Sequence, residues 1–173
     1  MLIVGASGGV GHFAVQIARA AGATVVAVCS GRNTELVRGL GANEVLDYTR
    51  PQPYAGQAPF DIVFDCVGSD PAPFLPLLVA GGAYLSPLPT PALFFRSLFN
   101  PFSGKKVRAV MLKSTAADLA ILDGLFVAGK LKVVIDSRFP LEKLAEAWER
   151  SITGRAAGKI VIDVASGAVT IPG

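Results

Sequence analysis

Short apolar runs and longer amphipathic stretches alternate along this chain almost from its first residue. "LIVGA" at 2–6 is a brief all-apolar run, as expected of a strand covered on both faces. Behind it Val10, Ala14, Ile17, Ala18 and Ala21 recur at helical spacing, which predicts a helix with that stripe inward and Gly22 as its stop. "TVVAVCS" then reads as a second strand, and "NTELVRGLG" as a short helix capped by Asn33 or Thr34 and ended by Gly41. "EVLDY" and "FDIVFDCVG" read as strands three and four. Asp70 and Pro71 form a cap and first-turn pair, predicting a short helix that ends at Gly81. "GAYLSP" and "KVRAVML" follow as strands five and six, and "STAADLAILDGLFVAGK" as a helix capped by Ser114 or Thr115.

Strands alternating with helices call for a parallel sheet covered on both faces. Right-handed crossovers leave few ways to wind it. The expected fold is α/β, a doubly wound six-stranded parallel sheet of the Rossmann type in the order 3-2-1-4-5-6. The tail then adds a strand ("KLKVVIDSRFPL"), a helix ("LEKLAEAWERS", with Leu141, Leu144, Ala145 and Trp148 inward) and a last strand ("GKIVIDV"). These come after a sheet already complete, so the chain is expected to divide into residues 1–130 and 131–173.

Composition narrows the class. Apolar residues make up 51% and charged residues 17%, which excludes disorder and leaves an apolar excess suited to surface that meets a partner, a further domain or a membrane. The net charge of +3 is carried by scattered cations, so no nucleic-acid footprint exists. Cys29 and Cys66 lie in strand-like runs and read as buried thiols rather than a disulfide, which points to a reducing compartment. His12 is the single histidine and no cluster has zinc spacing, so no metal site is expected. Residues 71–95 carry no charge, yet their prolines and Gly81–Gly82 break them into pieces too short to span a bilayer.

The chemistry sits in the opening turn. Gly5, Gly8 and Gly11 stand at G-x-x-G-x-x-G spacing between a strand and a helix. Glycines there let backbone approach a pyrophosphate, let the helix lie close on the strand, and aim the helix's first amides at the phosphates. A P-loop is excluded, because no Gly-Lys-Ser/Thr follows. An NAD site places Asp or Glu at the end of the second strand, about 20 residues on. Here that place reads Cys29-Ser30-Gly31-Arg32-Asn33, a hydroxyl and a cation without an acid. An Arg32 contact to a 2′-phosphate is worth about 1.5–3 kcal/mol, so NADP(H) is favoured. No Tyr-x-x-x-Lys pair exists, which counts against the short-chain dehydrogenases. Asp65 reads as a ribose or loop contact, and His12 as a packing residue at the helix start.

Together "GASGGVGHFAVQIARAAGATVVAVCSGRN", "LGANEVLDY" and "GKLKVVIDSRFPLEKLAEAWERSITGRAAGKIVIDV" resemble the medium-chain dehydrogenase/reductase superfamily, in its zinc-free quinone oxidoreductase branch. The resemblance implies that the six-stranded sheet is the cofactor half and that the tail belongs to a largely absent GroES-like catalytic domain, so the chain is expected to be a fragment. It implies that Gly8, Gly9, Val10 and Gly11 match the pyrophosphate loop, and Ser30 and Arg32 the 2′-phosphate site. By the same resemblance Tyr48 packs near that phosphate. Cys66, Val67 and Gly68 match the loop beside the ribose and nicotinamide, and Leu85, Ser86 and Pro87 the segment near the carboxamide.

The activity so implied is NADPH-dependent reduction of quinones or of the activated C=C bond of α,β-unsaturated carbonyls, without zinc. The alternative is a non-catalytic NADPH-binding module or sensor. The apolar stretch "PLPTPALFFRSLFNPF" is read as a pocket wall, a packing surface for the absent domain, or a dimer or peripheral membrane contact. The sixth strand, an open edge, is the expected place for a homodimer. Resemblance to plant members implies a chloroplast location, envelope-associated or stromal, with the cytoplasm as alternative; any targeting peptide would precede residue 1.

Overall fold

The computed structural model describes residues 1–98 and 104–164. Six strands form one parallel sheet in the order β3-β2-β1-β4-β5-β6: β1 (Leu2–Val4), β2 (Val26–Cys29), β3 (Glu44–Asp47), β4 (Phe60–Asp65), β5 (Leu78–Ser86) and β6 (Lys106–Ala109). This is the doubly wound order expected from the alternation of elements. Period-two alternation splits the apolar residues between the two faces. On one face Leu2, Val4, Val26, Val28, Val63, Tyr84 and Val107 pack in one cluster. On the other, Ile3, Ala27 and Cys29 pack with Val15 and Ala18 of α1 (Gly11–Ala20) and Val37 of α2 (Thr34–Gly39). Both faces of the central strands are therefore dry.

The remaining elements are α3 (Pro91–Ser97), α4 (Ala116–Val127), β7 (Ile135–Pro140), α5 (Leu144–Ile152) and β8 (Lys159–Asp163). β7 and β8 form a separate two-stranded parallel sheet. It meets the first unit along α1, where Gln16 exchanges two hydrogen bonds with the Lys132 backbone (2.8 and 3.0 Å).

Several local expectations are corrected. The stretch 71–81 is not a helix: a turn at Pro71–Phe74 leads into a short 3-10 segment at Leu75–Leu77 and then directly into β5. Pro76 has no amide to give and its ring crowds the preceding turn, so a helix cannot propagate past it. β5 starts at Leu78 beside Phe60 and runs through Gly81–Gly82, with its register against β4 shifting between Phe60 and Ile62. Asp70 keeps a capping role in miniature, its carboxylate accepting from the Ala72 amide at 2.9 Å.

The face that α1 buries is also different. Gly11, His12, Val15, Gln16 and Ala18 turn inward, while Val10 and Ile17 are exposed. The expected inner stripe of Leu141, Leu144, Ala145 and Trp148 lies outside, with Trp148 67% exposed, and Ala147 is the buried residue of α5. α4 buries none of its residues. Thr115 caps it, accepting from the Asp118 amide at 3.1 Å. Asn33 does not cap α2; its side-chain amide donates instead to the Ser7 hydroxyl at 2.9 Å.

Candidate cofactor site

At the carboxyl ends of β1 and β2 the chain leaves a cavity of about 720 Å³. That is where ligands bind in open α/β sheets. Its floor is the turn from β1 into α1. The Gly8 amide donates to the Gly5 carbonyl at 3.0 Å, closing the turn. A Cβ on Gly11 would stand 2.1 Å from the Gly5 carbonyl oxygen, so only glycine lets α1 start this close to β1. Among the described residues no acceptor faces the Gly9 and Val10 amides, which leaves them for an anion at the head of α1.

His12 secures this turn from behind. It is fully buried, and its Nδ1 lies 2.8 Å from the Gly8 carbonyl oxygen, which can only accept. Nδ1 therefore carries the proton, and Nε2 is a bare, buried acceptor without a partner among the described residues. Burial first, and the Lys159 cation after it, hold the imidazole below its ordinary pKa against the Gly8 hydrogen bond.

A second wall is the loop after β4. Buried Asp65 accepts from the Val67 amide at 2.8 Å and the Ser69 amide at 2.5 Å, and from the Tyr84 hydroxyl at 2.5 Å. Asp65 is thus a loop contact. Cys66 beside it has its thiol pushed up to about 12 by burial and then by the Asp65 charge, and Cys29 is pushed up to about 11 chiefly by burial. Neither thiol is a nucleophile at neutral pH.

Of the residues singled out from sequence, Gly8, Gly9, Ser30, Arg32, Tyr48, Cys66 and Val67 line this cavity. Val10 points outward and Gly11 lies beneath the turn. Gly68, Leu85, Ser86 and Pro87 lie outside the lining and group at the ends of β4 and β5. There a Cβ on Gly68 would meet Leu88 at 3.2 Å, and the Ser86 hydroxyl accepts from the Leu88 amide at 3.2 Å.

Two cations not singled out complete the cavity, Arg155 and Lys159, both from the β7–α5–β8 unit. The Gly158 amide donates to the Ser7 carbonyl at 2.8 Å, and the Lys159 amide to the Val134 carbonyl at 2.8 Å. Gly158 has φ +91°, and a Cβ there would stand 2.2 Å from the Val134 oxygen, so glycine is required. Arg32 donates to the Arg155 carbonyl at 3.0 Å. Ser30, Arg32, Tyr48 and Arg155 also border an adjoining depression of about 370 Å³, and Asp47, packed against Gly31, lines it with them.

A glycine cradle, free amides at a helix head and three cations suit a dinucleotide diphosphate. Comparison with known proteins decides the family: the model for zinc-binding dehydrogenases matches residues 40–162. The chain belongs to the zinc-binding dehydrogenase family. It is 39% identical over 170 residues to the chloroplast envelope quinone oxidoreductase homologue of Arabidopsis thaliana, covering 94% of this chain and 52% of that protein. It is 41% identical over 170 residues to a chloroplastic quinone oxidoreductase of Triphysaria versicolor, with the same coverage of 94% and 52%. The quinone oxidoreductase of Coxiella burnetii superposes with a TM-score of 0.87 at 30% identity, over 95% of this chain and 52% of that one. The chain spans about half the length of the relatives it matches. Family and fold imply a nicotinamide dinucleotide. Among the described residues no group of three or more His, Cys, Asp or Glu could hold a metal ion.

Proposed function

We propose that this chain binds NADPH and supplies the cofactor half of an oxidoreductase that reduces quinones or the activated C=C bond of α,β-unsaturated carbonyls without zinc. The observation that carries this reading is the cavity that gathers Gly8, Gly9, Ser30, Arg32, Tyr48, Arg155 and Lys159 at one end of the sheet. The bound cofactor would supply the hydride. The chain's own residues bind and orient: the amides at the head of α1 and Lys159 hold the diphosphate, and Arg32, Arg155 and Ser30 hold the 2′-phosphate. The 66–69 loop, braced by Asp65, and the Ser86–Leu88 turn flank the nicotinamide end.

The names of the plant relatives support a chloroplast location. We place the domain boundary near residue 130, with residues 131–173 belonging to a catalytic domain of GroES type. β6 ends the sheet, and exposed Met111 and Leu112 follow it, which favours a homodimer along that edge. Phe94 and Phe95, both exposed on α3, offer a peripheral membrane contact; among the described residues no helix is long and apolar enough to cross a bilayer.

Calorimetric titration of the 173-residue chain with NADPH and NADH tests the binding reading. NADPH should bind at least tenfold tighter, and Arg32→Ala should erase most of the difference. Equal affinities would overturn it. NADPH oxidation with an alkenal or a quinone separates the enzyme from the alternative, a binding module: intact binding without turnover marks the module.

A further inference from the structure

The Arg32 guanidinium donates to the Arg155 carbonyl, and that carbonyl is shared with a second arginine. Arg150 reaches that carbonyl with Nη2 at 3.4 Å while Arg32 reaches it at 3.0 Å. A carbonyl oxygen has two lone pairs, so it can take both donors at once. Arg150 in turn is clamped by Asp136. Nε and Nη2 donate to the two carboxylate oxygens at 2.8 and 2.6 Å, the two-pronged geometry that fixes a guanidinium in plane as well as in distance.

The same carboxylate also takes the Ala157 amide at 2.8 Å and the Ser137 hydroxyl at 3.0 Å. Asp136 therefore ties β7 to the end of α5 and to the turn that carries Arg155, Ala156 and Gly158 into the cavity wall. Its side chain is only 8% exposed, so water competes weakly for these four bonds. Two further ion pairs on this unit, Arg138–Asp163 at 3.4 Å and Lys143–Glu146 at 3.3 Å, are exposed on both sides, and none of their residues lines the cavity.

We infer that Asp136 is a positioning residue for 2′-phosphate selection: through Arg150 and the Ala157 amide it sets the Arg155 turn, and through the Arg155 carbonyl it sets the Arg32 guanidinium. Asp136 touches no ligand itself. The inference rests on the NADPH reading above and adds to it a determinant more than a hundred residues away in sequence. Loss of Asp136 frees the turn, so Arg32 and Arg155 lose their common orientation. Discrimination between the two dinucleotides falls, while the diphosphate cradle at the head of α1 stays intact.

The test is a double-mutant cycle read by calorimetric titration of the folded chain with NADPH and, separately, NADH. Asp136→Asn should weaken NADPH about tenfold and NADH less than threefold. Arg32→Ala should weaken NADPH by a similar factor, and the double variant should lose clearly less than the product of the two factors, because only the Arg155 part of the Asp136 effect survives without Arg32. Asp163→Asn, which removes the same charge from the same two-stranded unit, should leave both affinities unchanged. Circular dichroism checks folding. Should Asp136→Asn not fold, Arg150→Lys, which keeps the charge but gives up the second prong, carries the same cycle. Additive losses, or equal losses for both dinucleotides, overturn the inference while the NADPH reading stands. Equal wild-type affinities overturn that reading and the inference with it.

Discussion

Tyr84→Phe removes a single oxygen from behind the loop after β4, and its effect on stability can be worked out closely. Tyr84 is fully buried, packed in the core cluster beside Phe74, with ring centroids 5.9 Å apart. Its hydroxyl lies 2.5 Å from an Asp65 carboxylate oxygen and 3.1 Å from the Ser69 carbonyl. One proton serves one strong bond, and the shorter, charge-assisted one takes it. Burial, and then the hydrogen bond to Asp65, drive the phenol's pKa far above its ordinary value, so the donor is present at every working pH. Phenylalanine fills the same volume, so no cavity forms. The cost is that of a buried carboxylate losing one of its donors, about 1.5–3 kcal/mol. At about 2–4 °C per kcal/mol for a chain of this size, the melting temperature should fall by about 3–12 °C. Calorimetry measures that directly. A local reporter accompanies it: the Cys66 thiol, inert in the native loop with its pKa near 12, should label faster at pH 8 once the loop opens more often. A change below about 0.5 kcal/mol with unaltered Cys66 labelling would refute the reasoning, because the Val67 and Ser69 amides would then hold the carboxylate alone.

Gly11→Ala should cost more than about 3 kcal/mol or abolish folding, since its Cβ meets backbone on both Gly5 and Ala6; chemical denaturation checks this. Lys159→Ala should weaken NADPH and NADH alike, whereas Arg155→Ala should weaken NADPH alone, as read by titration. Stability should decline in two windows as pH falls. His12, depressed in the folded state, binds its proton more readily when unfolded, so its loss begins below the unfolded value of about 6.5. Asp136, lowered from 3.8 to about 2 chiefly by Arg150, adds a loss of about 1–2 kcal/mol between about pH 4 and 2, allowing for screening at partly exposed Arg150. Thermal melts of wild type and His12→Gln should diverge as pH falls through the first window.

The sheet order could be read from the chain because each buried strand announces itself within a few residues. Leu2, Ile3 and Val4 are apolar on both faces, and only a covered parallel strand wants that. The glycine turn was equally local: Gly11 must be glycine for a reason confined to residues 5–11. What escaped were faces and distant contacts. Ile17 and Trp148 look like core by spacing, yet which stripe is covered depends on what docks there, and that is not encoded in the period. The 71–81 stretch looked helical from its cap and lost to Pro76 and to the pairing of Leu78 with Phe60. Arg155 and Lys159 stand beside Gly158 in the sequence, but the local pattern places the tail in a separate strand–helix–strand unit. Its return to the head of α1 joins residues about 150 apart, and no local pattern records such a contact.

That return explains why the site is built from two units. The tail docks through polar backbone contacts: Gln16 with Lys132, Gly158 with Ser7, and Arg32 with the Arg155 carbonyl. At about 0.5–1.5 kcal/mol each, these four bonds give a few kcal/mol, and Val134, packed against the core cluster beside α1, adds an apolar contact to them. The apolar stripe of α5, which could have added far more by burial, faces away. A ligand that touched both sides would therefore tighten the joint as it bound, because Arg155 and Lys159 reach the cavity only in the docked register. The anion then adds its own attraction to that of the protein's contacts.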